Sequence, residues 1–164
     1  MIPAAFDYQR ADSKEQVISL LKEHGDDAKI LAGGHSLIPL MKYRLAAPGI
    51  LVDVGRIEEL SYVREEGDYL AIGALTRHRE IETSELVLAN SGLLAAATKQ
   101  VGDPQVRHRG TIGGALAHGD PASDIPSAAL ALRASFIIEG PSGEREVGAD
   151  DFFTGCLLYT SDAA

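Results

Sequence analysis

The chain has 164 residues and a formal net charge of −9, with 45% hydrophobic and 24% charged residues. That balance belongs to a globular protein and excludes a disordered chain, while 17 glycines, 7 prolines and a single cysteine exclude collagen, coiled coil and disulfide scaffold. A chain of this length buries roughly 70% of its unfolded surface, enough for one ordinary domain or two small ones.

No apolar run approaches the ~20 residues of a membrane span. Residues 1–10 include Asp7 and lack the apolar stretch of a signal peptide. The lone Cys156 supplies neither an internal disulfide nor an iron–sulfur site, so an intracellular, cytoplasmic location is expected. An acidic chain with few, scattered aromatic residues is a poor binder of nucleic acid.

The first third reads as a small α/β unit. Ser13-Lys14-Glu15-Gln16 has capping-box spacing. Val17, Ile18, Leu20 and Leu21 then give a helix one apolar face, and Gly25 stops it. Lys29 to Ala32 reads as a strand that runs into Gly33-Gly34-His35-Ser36. A short helix follows over Leu37 to Met41, with Pro39 in its first turn. Ile50 to Val54 is a second strand, and strand–helix–strand with short connections implies parallel pairing. A subdomain boundary is expected near Gly55, giving units at 1–55 and 56–155.

The character changes from Ile57. Ser61–Arg64 and Tyr69–Ile72 flank a turn and read as a hairpin. Thr76 is expected to cap a helix through Glu82. Ser84 to Gln100 has helical spacing broken near Ser91-Gly92, and Val106 to Ala117 is glycine-rich with no assignable element. Asp124 to Leu132 reads as a helix that Asp124 caps, and Ser135–Glu139 with Glu144–Val147 as a second hairpin. Asp150 to Gly155 opens a further element. Residues 156–164 read as a truncation or a foreign tail and are excluded from fold reasoning.

Two glycine-rich segments carry the chemistry: Ala32-Gly33-Gly34-His35-Ser36-Leu37 and Gly110-Thr111-Ile112-Gly113-Gly114-Ala115. Glycine has no Cβ and tolerates positive φ, so successive amides can converge on an anion such as a phosphate. Ser36 and Thr111 can add hydroxyl donors. Each segment alone reads equally well as a tight turn. Neither has the Rossmann spacing or the Gly-Lys-Ser/Thr of a P-loop. Two such loops far apart in sequence suit a diphosphate held between two subdomains. Asp120-Pro121-Ala122-Ser123-Asp124 follows directly, and a carboxylate there suits a ribose or ribityl hydroxyl or a helix cap. Arg77-His78-Arg79 and Arg107-His108-Arg109 read as solvated faces. The histidines have no metal-ligand spacing, and no nucleophile elbow occurs.

In combination, Ala32 to Lys42, Gly110 to Gly114 and Asp120 to Asp124 resemble the FAD-binding subunit of the molybdenum hydroxylases. That family includes the medium subunit of carbon monoxide dehydrogenase and the FAD domain of xanthine dehydrogenase. The likeness runs from about Pro3 to Gly155. It implies an α+β fold of the vanillyl-alcohol oxidase/p-cresol methylhydroxylase type, with two α+β subdomains clasping FAD. By matching, Ala32, Gly33, Gly34, His35, Ser36 and Leu37 wrap the diphosphate from the first subdomain. Thr111, Ile112, Gly113, Gly114 and Ala115 do so from the second, and Asp124 matches an acidic position close to the cofactor. Relatives often carry Asn or Ser where Ala115 stands. Relatives also continue past the Phe-Phe-Thr-Gly stretch into a C-terminal domain, which the resemblance implies is lacking here.

The resemblance further implies an electron-transfer oxidoreductase subunit without catalytic side chains of its own. Its partners would be a large molybdopterin-binding subunit and a small [2Fe–2S] subunit, and its acceptor an external one. A free-standing flavoprotein oxidoreductase of the same fold and a non-catalytic diphosphate-binding module are the competing readings.

Overall fold

β1 (Asp7–Arg10), β2 (Ala28–Leu31) and β3 (Ile50–Asp53) form a sheet of order β1-β3-β2, parallel throughout. The structure is a computed structural model that describes residues 1–153. The tail at 156–164, with Cys156, lies outside the described residues. The expected parallel pairing of β2 with β3 is present. β1 was not expected: Asp-Tyr-Gln-Arg has no apolar alternation and is exposed throughout. It is a strand because the edge of β3 offers it partners. The Asp7 amide donates to the Gly49 carbonyl at 2.7 Å, and the Ala11 amide to that of Asp53 at 2.9 Å.

α1 (Lys14–His24) begins where its capping residues predict. Ser13 Oγ accepts from the Gln16 amide at 3.3 Å, and Gln16 Oε1 reaches back to the Asp12 amide at 2.9 Å. Gly25, at φ 53°, ends it. Val17 and Leu20 bury against Ile50 and Val52 of β3. After the glycine segment, α2 (Leu37–Lys42) carries Pro39 in its first turn.

Two hairpins bracket the second half: β4 (Val63–Glu66) with β5 (Tyr69–Ile72), and β6 (Ser135–Gly140) with β7 (Gly143–Gly148). Between them lie α3 (His78–Thr83), α4 (Glu85–Asn90), α5 (Gly92–Gln100), α6 (Pro104–Arg109), α7 (Ile112–His118) and α8 (Asp124–Ala131). α9 (Ala149–Phe152) follows, and Phe136, Phe152 and Phe153 pack ring to ring beside it.

Three expectations need correction here. Thr76 does not cap α3. Its hydroxyl is buried and donates to the Tyr62 carbonyl at 2.9 Å, and the Arg77 amide is satisfied instead by the Glu80 carboxylate at 2.9 Å. Asp124 does not cap α8 either: Ser123 holds that position, and Asp124 stands in the first turn, where a carboxylate suits the helix dipole. The unassigned stretch from Val106 to Ala117 divides between two short helices joined at Gly110-Thr111. Asp103 caps α6 through the Val106 amide at 2.9 Å, and Thr111 caps α7.

Apolar side chains gather into two clusters. The first holds Ala11, Val17, Leu20, Ile50, Val52 and Val54, and draws in Ile57, Leu60 and Leu75 from beyond Gly55. The second holds Ile81, Val87, Leu94, Ile112, Leu116 and Ile125. Among the described residues, no helix is long and apolar enough to cross a membrane. Nor is there among them a group of three His, Cys, Asp or Glu that could hold a metal ion.

Candidate functional site

Leu31 ends β2 and Asp53 ends β3, and the two are register partners. Ligands of parallel sheets sit outside the carboxyl ends of the strands, and a cleft of about 230 Å³ opens there. Leu31, Ala32, Gly33, Gly34 and Ile38 form one wall. Asp53, Gly55 and Arg56 follow from the end of β3, and Arg77 and Arg109 close the cleft from the second half of the chain.

Backbone contact explains the glycines. A methyl group on Gly33 would lie 2.5 Å from the Arg109 carbonyl oxygen and 2.9 Å from Gly110 Cα, so the two main chains meet where no side chain fits. Gly34 has φ 79°, a left-handed conformation that disfavours other residues. The segment therefore turns sharply. Among the described residues, no protein acceptor faces the amides of Gly33, Gly34, His35 or Ser36, and the Ser36 hydroxyl makes no capping bond. His35 is exposed; Leu37 opens α2.

The second glycine segment is different. Its glycines are the first turn of α7, and its amides are engaged. Ile112 donates to the Thr76 carbonyl at 3.1 Å and Gly113 to Ala74 at 2.9 Å. Gly114 donates to Thr111 Oγ1 at 3.2 Å and Ala115 to the Thr111 carbonyl at 3.0 Å. The amides of Ile112, Gly113, Gly114 and Ala115 thus have partners within the protein. Thr111 to Ala115 do not line the cleft; the residues before them, Arg109 and Gly110, meet the first loop. Asp124 lies elsewhere, on a separate groove between α5 and α8 with Leu93, Gln100 and Ala128.

Arginines are what the sequence reading missed. The charged runs predict solvated faces for Arg77 and Arg109, yet both line the cleft together with Arg56. The Arg77 guanidinium donates to the Arg109 carbonyl. Burial, and next the charge of Arg109, pull the Arg77 pKa below its ordinary value. Three guanidinium groups around unpartnered amides favour an anion, and guanidinium geometry matches phosphate oxygens in pairs. Arg109 stands directly before Gly110, the first glycine of the second segment, and that adjacency was the available signal.

The same two runs hold structural residues. His78 is buried against Gly110, with no partner for Nδ1. Burial lowers its pKa to about 4, helped by Arg107 and His35. Arg107 donates from Nη1 to the Val101 carbonyl at 3.0 Å and to that of Lys99 at 3.2 Å, and its Nε lies 2.5 Å from Glu82 Oε2.

A dinucleotide diphosphate requires amide donors, cationic side chains and close backbone approach. The cleft offers all three, so its residues fit FAD. The family model described as the FAD binding domain in molybdopterin dehydrogenase matches residues 4–162. The chain is 50% identical over 158 residues to the carbon monoxide dehydrogenase medium chain of Hydrogenophaga pseudoflava, covering 96% of this chain and 55% of that one. It is 46% identical over 147 residues to the 6-hydroxypseudooxynicotine dehydrogenase complex subunit alpha of Paenarthrobacter nicotinovorans, covering 90% and 50%. A solved carbon monoxide dehydrogenase from Hydrogenophaga pseudoflava, lacking the Mo-pyranopterin moiety of its molybdenum cofactor, superposes with a TM-score of 0.93 at 51% identity, covering 95% of this chain and 54% of that one. The chain thus spans about half the length of these relatives. With an α+β fold, an anion cleft and a family match over nearly its whole length, the chain belongs to the FAD-binding domain family of the molybdopterin dehydrogenases.

Proposed function

We infer that this domain is the FAD-holding, electron-transferring part of a molybdenum hydroxylase. The observation that carries the reading is the set of unpartnered amides from Gly33 to Ser36, faced by Arg77 and Arg109 across one cleft. Those amides and guanidinium groups hold the diphosphate. Each charge-assisted hydrogen bond contributes about 1.5–3 kcal/mol. Gly33 lets the Arg109 carbonyl close behind the loop. Thr111 to Ala115 act as support: they lock α7 to the 74–76 backbone and so fix Arg109 and Gly110. When bound, FAD supplies redox chemistry, taking up electrons and passing them to an acceptor.

The relatives' names describe a medium chain and a subunit of a dehydrogenase complex, which supports a domain that works with partner chains. On that basis the partners are a large molybdopterin-binding subunit and a small [2Fe–2S] subunit, and the final acceptor is external. The substrate is chosen at the molybdenum site of the partner, and relatives named for carbon monoxide and for 6-hydroxypseudooxynicotine share this domain.

The test is flavin content. The purified protein is expected to be yellow and to release FAD on denaturation. Gly34→Val, which forces a branched side chain into a left-handed backbone 2.8 Å from Ile38 Cδ1, is expected to lose it. Unchanged flavin in that variant removes the cradle.

A further inference from the structure

Asp53 is the single carboxylate among the residues lining an otherwise cationic cleft. It is held in place from two sides. Oδ2 accepts from the Tyr8 hydroxyl at 2.5 Å, and Oδ1 accepts from the Gly55 amide at 2.8 Å. Among the described residues it forms no ion pair, although Arg56 and Arg77 line the same cleft. Each of its oxygens keeps a further lone pair. A carboxylate aimed at a diphosphate would repel it, so its ligand is a donor. The donors that accompany a dinucleotide diphosphate are sugar hydroxyls.

Position decides which sugar. Asp53 ends the strand beside the one that feeds the glycine loop. In parallel nucleotide-binding sheets, an acidic residue about 20 residues beyond the glycine turn, at the end of the neighbouring strand, takes the adenosine ribose. The loop here has a different glycine spacing, but the juxtaposition of turn, parallel neighbour and carboxylate is the same. Tyr8 is a positioning residue. It belongs to the unexpected strand β1 and pairs with Leu51, so its ring spans to Asp53 from the far side of β3. Hydrogen bonding to Asp53 raises its phenol pKa, which keeps the donor protonated.

We propose that Asp53, oriented by Tyr8 and the Gly55 amide, binds the ribose diol at the adenosine end of FAD and selects a ribonucleotide there. This rests on the cleft being the FAD site. The ribityl chain is the other hydroxyl source, and the experiment separates the two. Calorimetric titration of the flavin-stripped protein compares ADP, 2′,3′-dideoxy-ADP, FMN and FAD, with circular dichroism confirming the fold of each variant.

The parent is expected to bind ADP at least about tenfold more tightly than the dideoxy analogue, the worth of one charge-assisted hydrogen bond. Asp53→Asn is expected to erase most of that preference and leave FMN binding unchanged. Tyr8→Phe, which leaves the carboxylate in place but unanchored, is expected to reduce the preference by a smaller factor. A parent that binds FAD and ADP while Asp53→Asn keeps the full preference overturns the ribose assignment alone. Weakened FMN with an intact ADP preference overturns it in favour of the ribityl chain. A parent that binds none of the four ligands overturns the FAD cleft as well.

Discussion

His78 sits beneath the Gly110 backbone, where a methyl group on Gly110 would come within 2.7 Å of its Cδ2. Its ring is buried, its Nδ1 has no partner, and its pKa is lowered to about 4, chiefly by burial and then by Arg107. In the unfolded chain the same imidazole titrates near its ordinary value of ~6.5. Between those values the unfolded state carries the proton and the folded state does not. Stability is therefore complete above about pH 6.5 and falls as the pH drops toward 4. At 1.36 kcal/mol per unit, the loss is about 3 kcal/mol from this one group. Urea unfolding midpoints across pH 4–7 are expected to show this slope, and His78→Gln to flatten it; an unchanged slope shows that other groups carry it. Because His78 backs the Gly110 backbone that meets Gly33, acidification is expected to loosen that wall of the cleft.

Arg107 shows how short helices gain stability they lack by themselves. α3 and α6 have only six residues each, below the length at which isolated helices persist in water. Arg107 ties them together. Its guanidinium serves the carbonyls at the end of α5 and contacts Glu82 of α3, both side chains being largely buried at 13% and 9% exposure. Arg107→Ala is expected to cost about 3 kcal/mol, because Glu82 is left with only Arg79 and the carbonyls lose a donor. Arg107→Lys is expected to recover less than half, since one ammonium cannot serve carbonyls and carboxylate in that geometry. Denaturant titration of the three proteins measures it; full rescue by lysine reduces the tether to simple charge. The sequence showed the arginine run but not this role. Local pattern reports that a residue is charged, while the carbonyls it serves come from α5, a different element.

Taken whole, the protein carries a charge of −9, yet its cleft gathers Arg56, Arg77 and Arg109. The three guanidinium groups thus offset locally the long-range repulsion of an anionic dinucleotide. On the reading proposed above, FAD held in this cleft stabilises the fold. At a free concentration a hundredfold above its dissociation constant, it should add about 2.7 kcal/mol, roughly a 5–11 °C rise in Tm for a chain of this size. Differential scanning fluorimetry is expected to show that rise at low salt and a smaller one at 0.5 M salt. Arg109→Ala, which keeps the backbone contact to Gly33 and removes only the guanidinium, is expected to lose most of the shift. A full shift in that variant removes Arg109 from the site.

The order of most elements was readable from residue pattern alone. The cap at Ser13, the stop at Gly25, the parallel pair β2–β3 and both hairpins follow from short-range rules of spacing and turn chemistry. Gly33-Gly34 between an apolar run and a helix marks a turn for the same reason. Tertiary structure decided the rest. β1 exists only because β3 offers it an edge. The glycines of the second segment entered a helix whose amides meet Ala74, Thr76 and Thr111. Arg77 and Arg109 became part of a site because residues 32 positions apart are brought together by one carbonyl hydrogen bond. Local sequence encodes which conformations a segment tolerates. Whether its donors stay free for a ligand depends on which distant acceptors packing brings against them, and only the folded chain specifies that.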